Sequence, residues 1–171
     1  QQLSDINKPE KIIPSHMEFV DIAGLVKGAH SGEGLGNKFL SHIRETQCFA
    51  HVVRCFEDQN VIHVDGKISP INDLETIETE LMLSDLEIVE KRIEKLEKQV
   101  RNGDKALKEE FDCLSEIKNE ISSNGFRANL QIEKYHTYLR NLQLITAKSF
   151  FYIANLHEDD SKNLFINELE E

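Results

Sequence analysis

Two short apolar runs flank a glycine-rich stretch in the first third of the chain. Residues 17–23 and 49–56 are apolar but too short for helices, so each run predicts a buried β-strand. Between them a helix is predicted from a cap at Asn37 to about Thr46, because three apolar residues share one helical face: Phe39, Leu40 and Ile43. A strand, a loop, a helix and a strand in this order predict a βαβ unit, and therefore a parallel sheet.

After Pro70 the apolar spacing becomes helical. A first series has the period of a coiled coil: Met82, Leu86, Val89, Ile93, Leu96 and Val100. Turn-forming residues at 102–104 separate it from a second series, Leu107, Phe111, Leu114, Ile117 and Ile121, and a third follows, Ile132, Tyr135, Leu139 and Leu142. Because an apolar stripe on one helix must be buried against another, the first two helices are predicted to form an antiparallel hairpin.

A third β-type run, residues 149–154, follows the helical segment. The predicted fold class is therefore α/β, with a parallel sheet that is interrupted by a helical arm. The arm is predicted to occupy residues 71–147, between a first part of the sheet at 1–70 and a second part at 148–171.

Composition excludes several classes of protein. The net charge is −11, but the acidic excess is concentrated in residues 75–122 and in the tail from Asn155, so an RNA-rich partner is not excluded. No apolar run is long enough for a membrane span, and the first residues contain neither an initiator Met nor a secretory stretch. The cysteines form no disulfide or zinc pattern, so a reducing, cytoplasmic location is expected: Cys48, Cys55 and Cys113.

The carboxyl end of the first predicted strand carries a candidate for chemistry. Asp21 is followed by Gly24, and residues 24–36 hold five of the eight glycines in the chain. Open α/β sheets place ligand sites at strand carboxyl ends, and a carboxylate there suits a hard cation such as Mg²⁺. A glycine-rich loop beside it could close on a phosphate group. From spacing alone, an ordinary turn between strand and helix explains these residues equally well.

Longer motifs make the interpretation specific. Four of them resemble the YchF family of Obg-related P-loop NTPases: DIAGLVKGAHSGEGLGNKFL at 21–40, IRET at 43–46, HVVRCF at 51–56 and YIANLHE at 152–158. The resemblance covers roughly residues 8–100 and 139–160 and implies a cytosolic, ribosome-binding NTP hydrolase that prefers ATP to GTP. It also implies a P-loop NTPase-type parallel sheet, incomplete in this chain, with an inserted antiparallel helical coiled-coil arm, so that 1–70 and 148–171 belong to a nucleotide-binding domain.

The resemblance assigns roles to residues near the glycine-rich loop. It places Asp21 on a Mg²⁺ cofactor through water and Gly24 on the γ-phosphate, and it makes residues 24–36 the loop called switch II. Switch II is expected to close when the γ-phosphate is present and to relax when it is lost.

The group that assists the attacking water is predicted to be a histidine. Leu25 stands where Ras-like GTPases have a glutamine that orients water, and a leucine side chain cannot do this. The resemblance assigns the role to His51, and an imidazole can position water or move its proton near neutral pH. A buried structural histidine is the alternative interpretation of His51, and His30 in the loop is a weaker second candidate.

A base-specificity motif is expected where GTPases carry Asn-Lys-x-Asp. Here the resemblance places Asn155 and Leu156 along the nucleotide base, and Glu158 where the GTPase aspartate accepts hydrogen bonds from guanine. The side chain of Glu158 is longer than that of aspartate, so its carboxylate does not have the geometry that suits guanine. We therefore expect the site to favour adenine. Two residues depart from the family without an evident effect on the nucleotide: Ser149 and His157.

Basic residues on the arm are a candidate ribosome contact. Lys91, Lys95 and Lys98 share a helical face, with Arg92 and Arg101 nearby, and could meet rRNA phosphates. The alternative, which we favour, is a solvated face whose lysines pair with glutamates three or four residues away.

A Gly-x-x-x-x-Gly-Lys-[Ser/Thr] phosphate loop does not occur in these 171 residues, and neither does the small TGS domain that the resemblance implies. We therefore expect the isolated chain neither to bind ATP tightly nor to hydrolyse it. The favoured function is the central part of a YchF-like, ATP-hydrolysing, ribosome-associated protein. Two alternatives remain: a GTPase of the same fold, and a non-enzymatic module that docks on a ribosome or a protein.

Overall fold

A computed structural model describes residues 6–8, 10–12, 16–22, 35–58, 60–61, 63, 68–100 and 104–159. Its helices and strands, in chain order, are α1 (Leu35–Glu45), β1 (Cys48–Arg54), α2 (Pro70–Val100), α3 (Lys105–Asn124), α4 (His136–Leu142) and β2 (Ser149–Asn155). Short 3₁₀ turns occupy Gly125–Arg127, Glu133–Tyr135 and Ile145–Ala147. Although α2 has 31 residues, no helix in the described part of the chain is long and apolar enough to cross a membrane.

The two described strands form a parallel sheet, in agreement with the predicted α/β class. Their register pairs Cys48 with Ser149 at one end and Arg54 with Asn155 at the other. Phe49 and Phe150 stack on one face with ring centroids 5.4 Å apart. The whole helical arm lies between these strands in the sequence, so it forms the crossover connection that a parallel pair requires.

The predicted strand at 17–23 is wrong for the residues that the structure describes. Residues 16–22 form no strand, and the side chains of Met17, Phe19 and Val20 are exposed. An apolar run becomes a strand only when a neighbouring strand takes its backbone hydrogen bonds, and neither described strand pairs with this run. Ala23 lies outside the described residues.

Helix α1 begins earlier than predicted. It starts at Leu35, so Asn37 lies within the first turn and is not the cap. Its apolar face is as expected, because Leu40 and Ile43 are buried and pack with Leu81 of α2 and Ile145. These contacts fix α1 against the root of the arm and the sheet.

The arm is an antiparallel helical hairpin, as the apolar spacing predicts. Ion pairs join Arg92 to Glu110 and Glu90 to Lys118, so positions that ascend along α2 meet positions that descend along α3. The core between the helices is formed by residues of the predicted series, among which five are fully or almost fully buried: Val89, Leu96, Leu114, Ile117 and Ile121. Asp104 caps α3 by accepting hydrogen bonds from two backbone N–H groups of the first turn.

The third predicted series is only partly correct. Tyr135 and Leu139 are buried in the core of the arm, but Ile132 is 38% exposed. Ile132 has an extended backbone and precedes a 3₁₀ turn, so it does not share a helical face with the later residues.

Candidate functional site

The carboxyl ends of β1 and β2 lie side by side. Beyond the last register pair, the backbone N–H of Cys55 donates to the carbonyl of Asn155 at 2.9 Å, so the two chains leave the sheet together. Asn155, Leu156 and Glu158 are all exposed at this edge, and 45% of Leu156 is accessible. The predicted base-specificity residues, which are neighbours in the sequence, thus lie at the edge of the sheet where α/β proteins bind ligands.

Arg54 organises the loop that follows β1. Its guanidinium donates to the carbonyls of Phe56 at 3.2 Å, Asp58 at 3.3 Å and Val61 at 3.0 Å. It also lies 4.8 Å from the centre of the Phe56 ring. Sequence analysis did not select Arg54, because a cation at a strand end has no pattern that reveals backbone partners up to seven residues ahead.

An aromatic pair bridges the two segments that leave the sheet. The rings of Phe56 and His157 have centroids 5.8 Å apart, and His157 Nδ1 accepts a hydrogen bond of 2.9 Å from the backbone N–H of Asp159. Since His157 lies between Leu156 and Glu158, this contact orders the predicted base-specificity segment. His157 therefore has a structural role in this chain that its departure from the family pattern did not indicate.

His51 lies in the middle of β1 rather than at its end. Its ring is half-buried, and its centroid lies 6.0 Å from that of Tyr152, its register partner on β2. Burial lowers the pKa of His51 below the ordinary 6.5, and the carboxylate of Asp73 partly offsets this by raising it. The imidazole is therefore neutral at physiological pH, which is the form that can accept a proton.

A second histidine is held by the same carboxylate. His63 Nε2 lies 3.0 Å from Asp73 Oδ2, and Asp73 belongs to the first turn of α2. A carboxylate in this position fixes the orientation of an imidazole ring. Sequence analysis did not select His63, because the pairing joins a loop residue to a helix residue ten positions later.

The pKa of His51 can be measured in the isolated chain by an NMR titration of its ring protons. We expect a value below 6.5, and a further decrease in Asp73→Asn, because Asp73 stabilises the protonated ring. Because the folded pKa is lower than the unfolded one, His51 should reduce the stability of the chain as the pH falls below about 6.5. A titration midpoint for His51 that rises in Asp73→Asn would contradict this geometry.

Asp21 is exposed, and the next residue, Ile22, packs against the core cluster that contains Leu40 and Ile43. A single accessible carboxylate fits Mg²⁺, which usually takes one or two protein carboxylates and completes its shell with water and phosphate oxygens. The described residues contain no group of three or more His, Cys, Asp or Glu side chains that could hold a metal ion. Gly24, His30 and most of the predicted switch II lie outside the described residues.

The basic face of the arm is partly neutralised by ion pairs. Lys91 pairs with Glu87 at 2.5 Å, four residues earlier, and Arg92 pairs with Glu110 of α3 at 2.7 Å. The Lys91–Glu87 pair matches the paired face that we favoured, whereas the Arg92–Glu110 pair joins the two helices of the hairpin. Lys95 and Lys98 are exposed on the same helix, whereas Arg101 lies outside the described residues.

Cys55 is fully buried directly after β1. Burial raises the pKa of its thiol, so the unreactive protonated form is favoured. Cys55 is therefore a small residue of the core.

Known proteins resemble this chain in sequence and in structure. The family model described as 50S ribosome-binding GTPase matches residues 4–106. The Ribosome-binding ATPase YchF of Escherichia coli O157:H7 is 47% identical over 163 residues, which are 95% of this chain and 45% of that protein. The Ribosome-binding ATPase YchF of Bacillus subtilis (strain 168) is 46% identical over 161 residues, covering 94% of this chain and 44% of that protein.

A solved structure resembles this chain in both fold and sequence. The structure of the Schizosaccharomyces pombe YchF GTPase has a TM-score of 0.77 and 35% identity, and the match covers 99% of this chain and 47% of that chain. The P-loop NTPase-type fold predicted from the motifs is therefore confirmed. The chain spans about half the length of the curated relatives it matches.

Proposed function

We propose, since this chain belongs to the YchF family, that it forms the central part of an ATP-hydrolysing, ribosome-associated protein that works in the cytoplasm. The observation that carries the proposal is the shared edge at which β1 and β2 end, where Asn155, Leu156 and Glu158 are exposed together. Residues 1–70 and 148–171 would belong to the nucleotide-binding domain, and 71–147 would be its helical insertion.

In the proposed mechanism, water attacks the γ-phosphorus of ATP, the bond from that phosphorus to the β–γ bridging oxygen breaks, and ADP and phosphate leave. Asp21 would hold Mg²⁺ through a water molecule, and Gly24 would donate its backbone N–H to the γ-phosphate. The bound cation would supply positive charge that neutralises the phosphate oxygens as the bond breaks. Because His51 has a depressed pKa and is neutral near pH 7, its ring could accept a hydrogen bond from the attacking water.

The geometry makes His63 a necessary comparison for His51. His63 is oriented by Asp73, whereas His51 lies within the strand and faces Tyr152. Loss of turnover in His51→Asn, with turnover retained in His63→Asn, would support our assignment.

Base recognition would depend on the reach of the Glu158 carboxylate. An aspartate at this position accepts hydrogen bonds from guanine N1–H and N2 in GTPases, and the extra methylene of Glu158 moves its oxygens away from that geometry. Asn155 and Leu156 would line the adenine ring. The names of the related proteins include both ATPase and GTPase, so the choice of nucleotide requires a direct test.

The test uses a hybrid in which the matching residues of this chain replace the corresponding part of the Bacillus subtilis relative. We expect the hybrid to prefer ATP, and Glu158→Asp to shift the ATP-to-GTP ratio of kcat/KM by about tenfold towards GTP, the effect of one charged hydrogen bond. Glu57→Asp is the matched control, since Glu57 is an exposed glutamate in the segment after β1. An unchanged ratio in Glu158→Asp would refute our account of this position.

We expect the isolated 171 residues to bind ATP weakly and to show no turnover, because their sequence has no phosphate loop. Measurable turnover by the isolated chain would contradict this expectation.

A docking role for the arm would depend on the exposed lysines of the basic face, of which Lys91 pairs with Glu87 and the other two are Lys95 and Lys98. If they contact rRNA phosphates, Lys95→Glu with Lys98→Glu should weaken co-sedimentation of the hybrid with ribosomes and reduce the slope of log affinity against log salt by about one for each contact. The control is Lys8→Glu with Lys11→Glu, which changes the net charge equally at exposed positions outside the arm. Equal effects of the two double variants would favour a passive arm.

A further inference from the structure

The root of the helical arm contains a polar cluster that no part of the proposed hydrolysis uses. We call it the root clamp, and it consists of Arg44 in α1, Ser84 and Asp85 in α2, and Thr146 in the turn before β2. Asp85 is fully buried, and Arg44 keeps only 11% of its side chain exposed. A charge pair placed this deeply costs desolvation energy, which is offset only by accurate geometry.

Every polar atom of the Asp85 side chain is engaged by a different part of the fold. Arg44 Nη1 donates to Asp85 Oδ1 at 2.6 Å, while Asp85 Oδ2 accepts from the backbone N–H of Thr146 at 2.7 Å and from its hydroxyl at 2.8 Å. Arg44 Nη2 donates to Ser84 Oγ at 2.7 Å. The guanidinium therefore donates hydrogen bonds to two consecutive residues of α2, Ser84 and Asp85. The Asp85 carboxylate in turn accepts hydrogen bonds from Thr146 in the turn before β2.

Two further contacts extend the clamp to the end of the arm and to the start of the sheet. Arg44 Nη1 also donates to the carbonyl of Gln143, which caps α4 in a left-handed conformation. Lys148 Nζ donates at 2.6 Å to the carbonyl of Thr46, just before β1. The clamp thus joins α1, the arm and the amino ends of both strands.

The position of the clamp suggests what it does. It lies at the amino ends of the strands, whereas the candidate nucleotide site lies at their carboxyl ends. Arg44 is the penultimate residue of α1, and α1 begins at Leu35, at the end of the glycine-rich stretch. Apolar contacts between helices can slide, but directional hydrogen bonds to a buried carboxylate cannot shift without breaking. A displacement of α1 must therefore carry α2 with it.

We infer that Arg44 and Asp85 are positioning residues that fix the direction of the helical arm relative to α1 and the sheet. Through them, a movement of α1 that follows the presence or loss of a γ-phosphate is transmitted to the tip of the arm. The first statement stands on the described contacts alone, and the second rests on the proposed function.

The first statement is tested by a distance measurement in the isolated chain. Spin labels are attached at Lys108→Cys, near the arm tip, and at Glu57→Cys, beyond β1, in a Cys48→Ser background. Double electron–electron resonance then measures the distance between the arm and the sheet. We expect a single narrow distance distribution, and a broader or displaced one in Asp85→Asn and in Arg44→Lys. Arg44→Lys keeps the charge but cannot contact Ser84 and Asp85 through two nitrogens.

A matched control separates positioning from stability. Arg92→Gln removes an ion pair whose partners, Arg92 and Glu110, both lie within the hairpin, so the distribution should remain narrow. A residue that only stabilised the fold would lower the unfolding midpoint without altering the distance in folded molecules. An unchanged distribution in both Asp85→Asn and Arg44→Lys would overturn the inference.

The second statement is tested in the hybrid, with the same pair of labels. Adding Mg²⁺ and a non-hydrolysable ATP analogue should shift the distance in the otherwise unchanged hybrid and leave it unshifted in Asp85→Asn, although both bind the analogue with affinities within about threefold. Binding without any shift, or an equal shift in both proteins, would overturn transmission through the clamp. Absence of binding would instead refute the proposed function, while the measurement in the isolated chain still decides the positioning role.

Discussion

In the hybrid, Asp21→Asn is expected to lower ATP turnover by about 10- to 100-fold, the usual effect of removing a group that holds a metal through its outer shell. The substitution keeps the size of the side chain and removes its negative charge, so the affinity for Mg²⁺ should fall while the fold is retained. The loss should therefore appear as a higher Mg²⁺ concentration for half-maximal turnover. Because Asp21 is exposed, its replacement should leave the unfolding midpoint almost unchanged.

Glu18→Gln provides the matched control for Asp21→Asn. Glu18 is an exposed carboxylate three residues earlier in the same segment, and neutralising it changes the net charge by the same amount. We expect turnover and Mg²⁺ dependence to remain within a factor of two in this variant. If Asp21→Asn behaved like Glu18→Gln, the assignment of Asp21 to the metal would be wrong.

Asp85→Ala is expected to lower the free energy of unfolding of the isolated chain by about 3–5 kcal/mol, because it leaves the largely buried Arg44 charge without its carboxylate partner. The backbone N–H of Thr146 would also lose its acceptor inside the fold. Urea denaturation followed by circular dichroism measures the difference. Its size is comparable to the stability of many small domains, so partial unfolding in the absence of denaturant is an expected consequence.

The control for Asp85→Ala is Glu87→Ala, two residues further along the same helix. Glu87 is exposed and pairs with Lys91, and pairs of this kind contribute about 0.3–0.5 kcal/mol. A loss below about 1 kcal/mol in Asp85→Ala would mean that the clamp contributes no more than a surface pair.

The helical hairpin could be predicted from the sequence because helical periodicity is a local property. Residues such as Val89 and Leu96 recur at the spacing that places them on one face, and an apolar face must be covered. The prediction that Ile132 lies on a buried helical face failed because spacing cannot reveal that an extended segment and a 3₁₀ turn interrupt the helix. The prediction of a strand at 17–23 failed because a strand also depends on a neighbouring strand that takes its backbone hydrogen bonds.

The candidate site was only partly accessible to sequence analysis. Asn155, Leu156 and Glu158 could be selected because they follow an apolar strand and match a family motif, and the structure places them at one exposed edge. The link between Arg44 and Asp85 spans 41 residues, and that between Asp85 and Thr146 spans 61. Neither has a spacing signature, because both contacts exist only after the arm has folded back onto the sheet.

The most direct test of the central claim is hydrogen–deuterium exchange of the hybrid with Mg²⁺ and ATP, compared with Mg²⁺ alone. If the edge formed by β1 and β2 binds the nucleotide, ATP should slow exchange in the peptides that contain Asp21 and residues 155–158. The middle of α3, on the far part of the arm, should exchange at the same rate in both conditions. Protection confined to other segments, with residues 155–158 exchanging equally with and without ATP, would contradict the account.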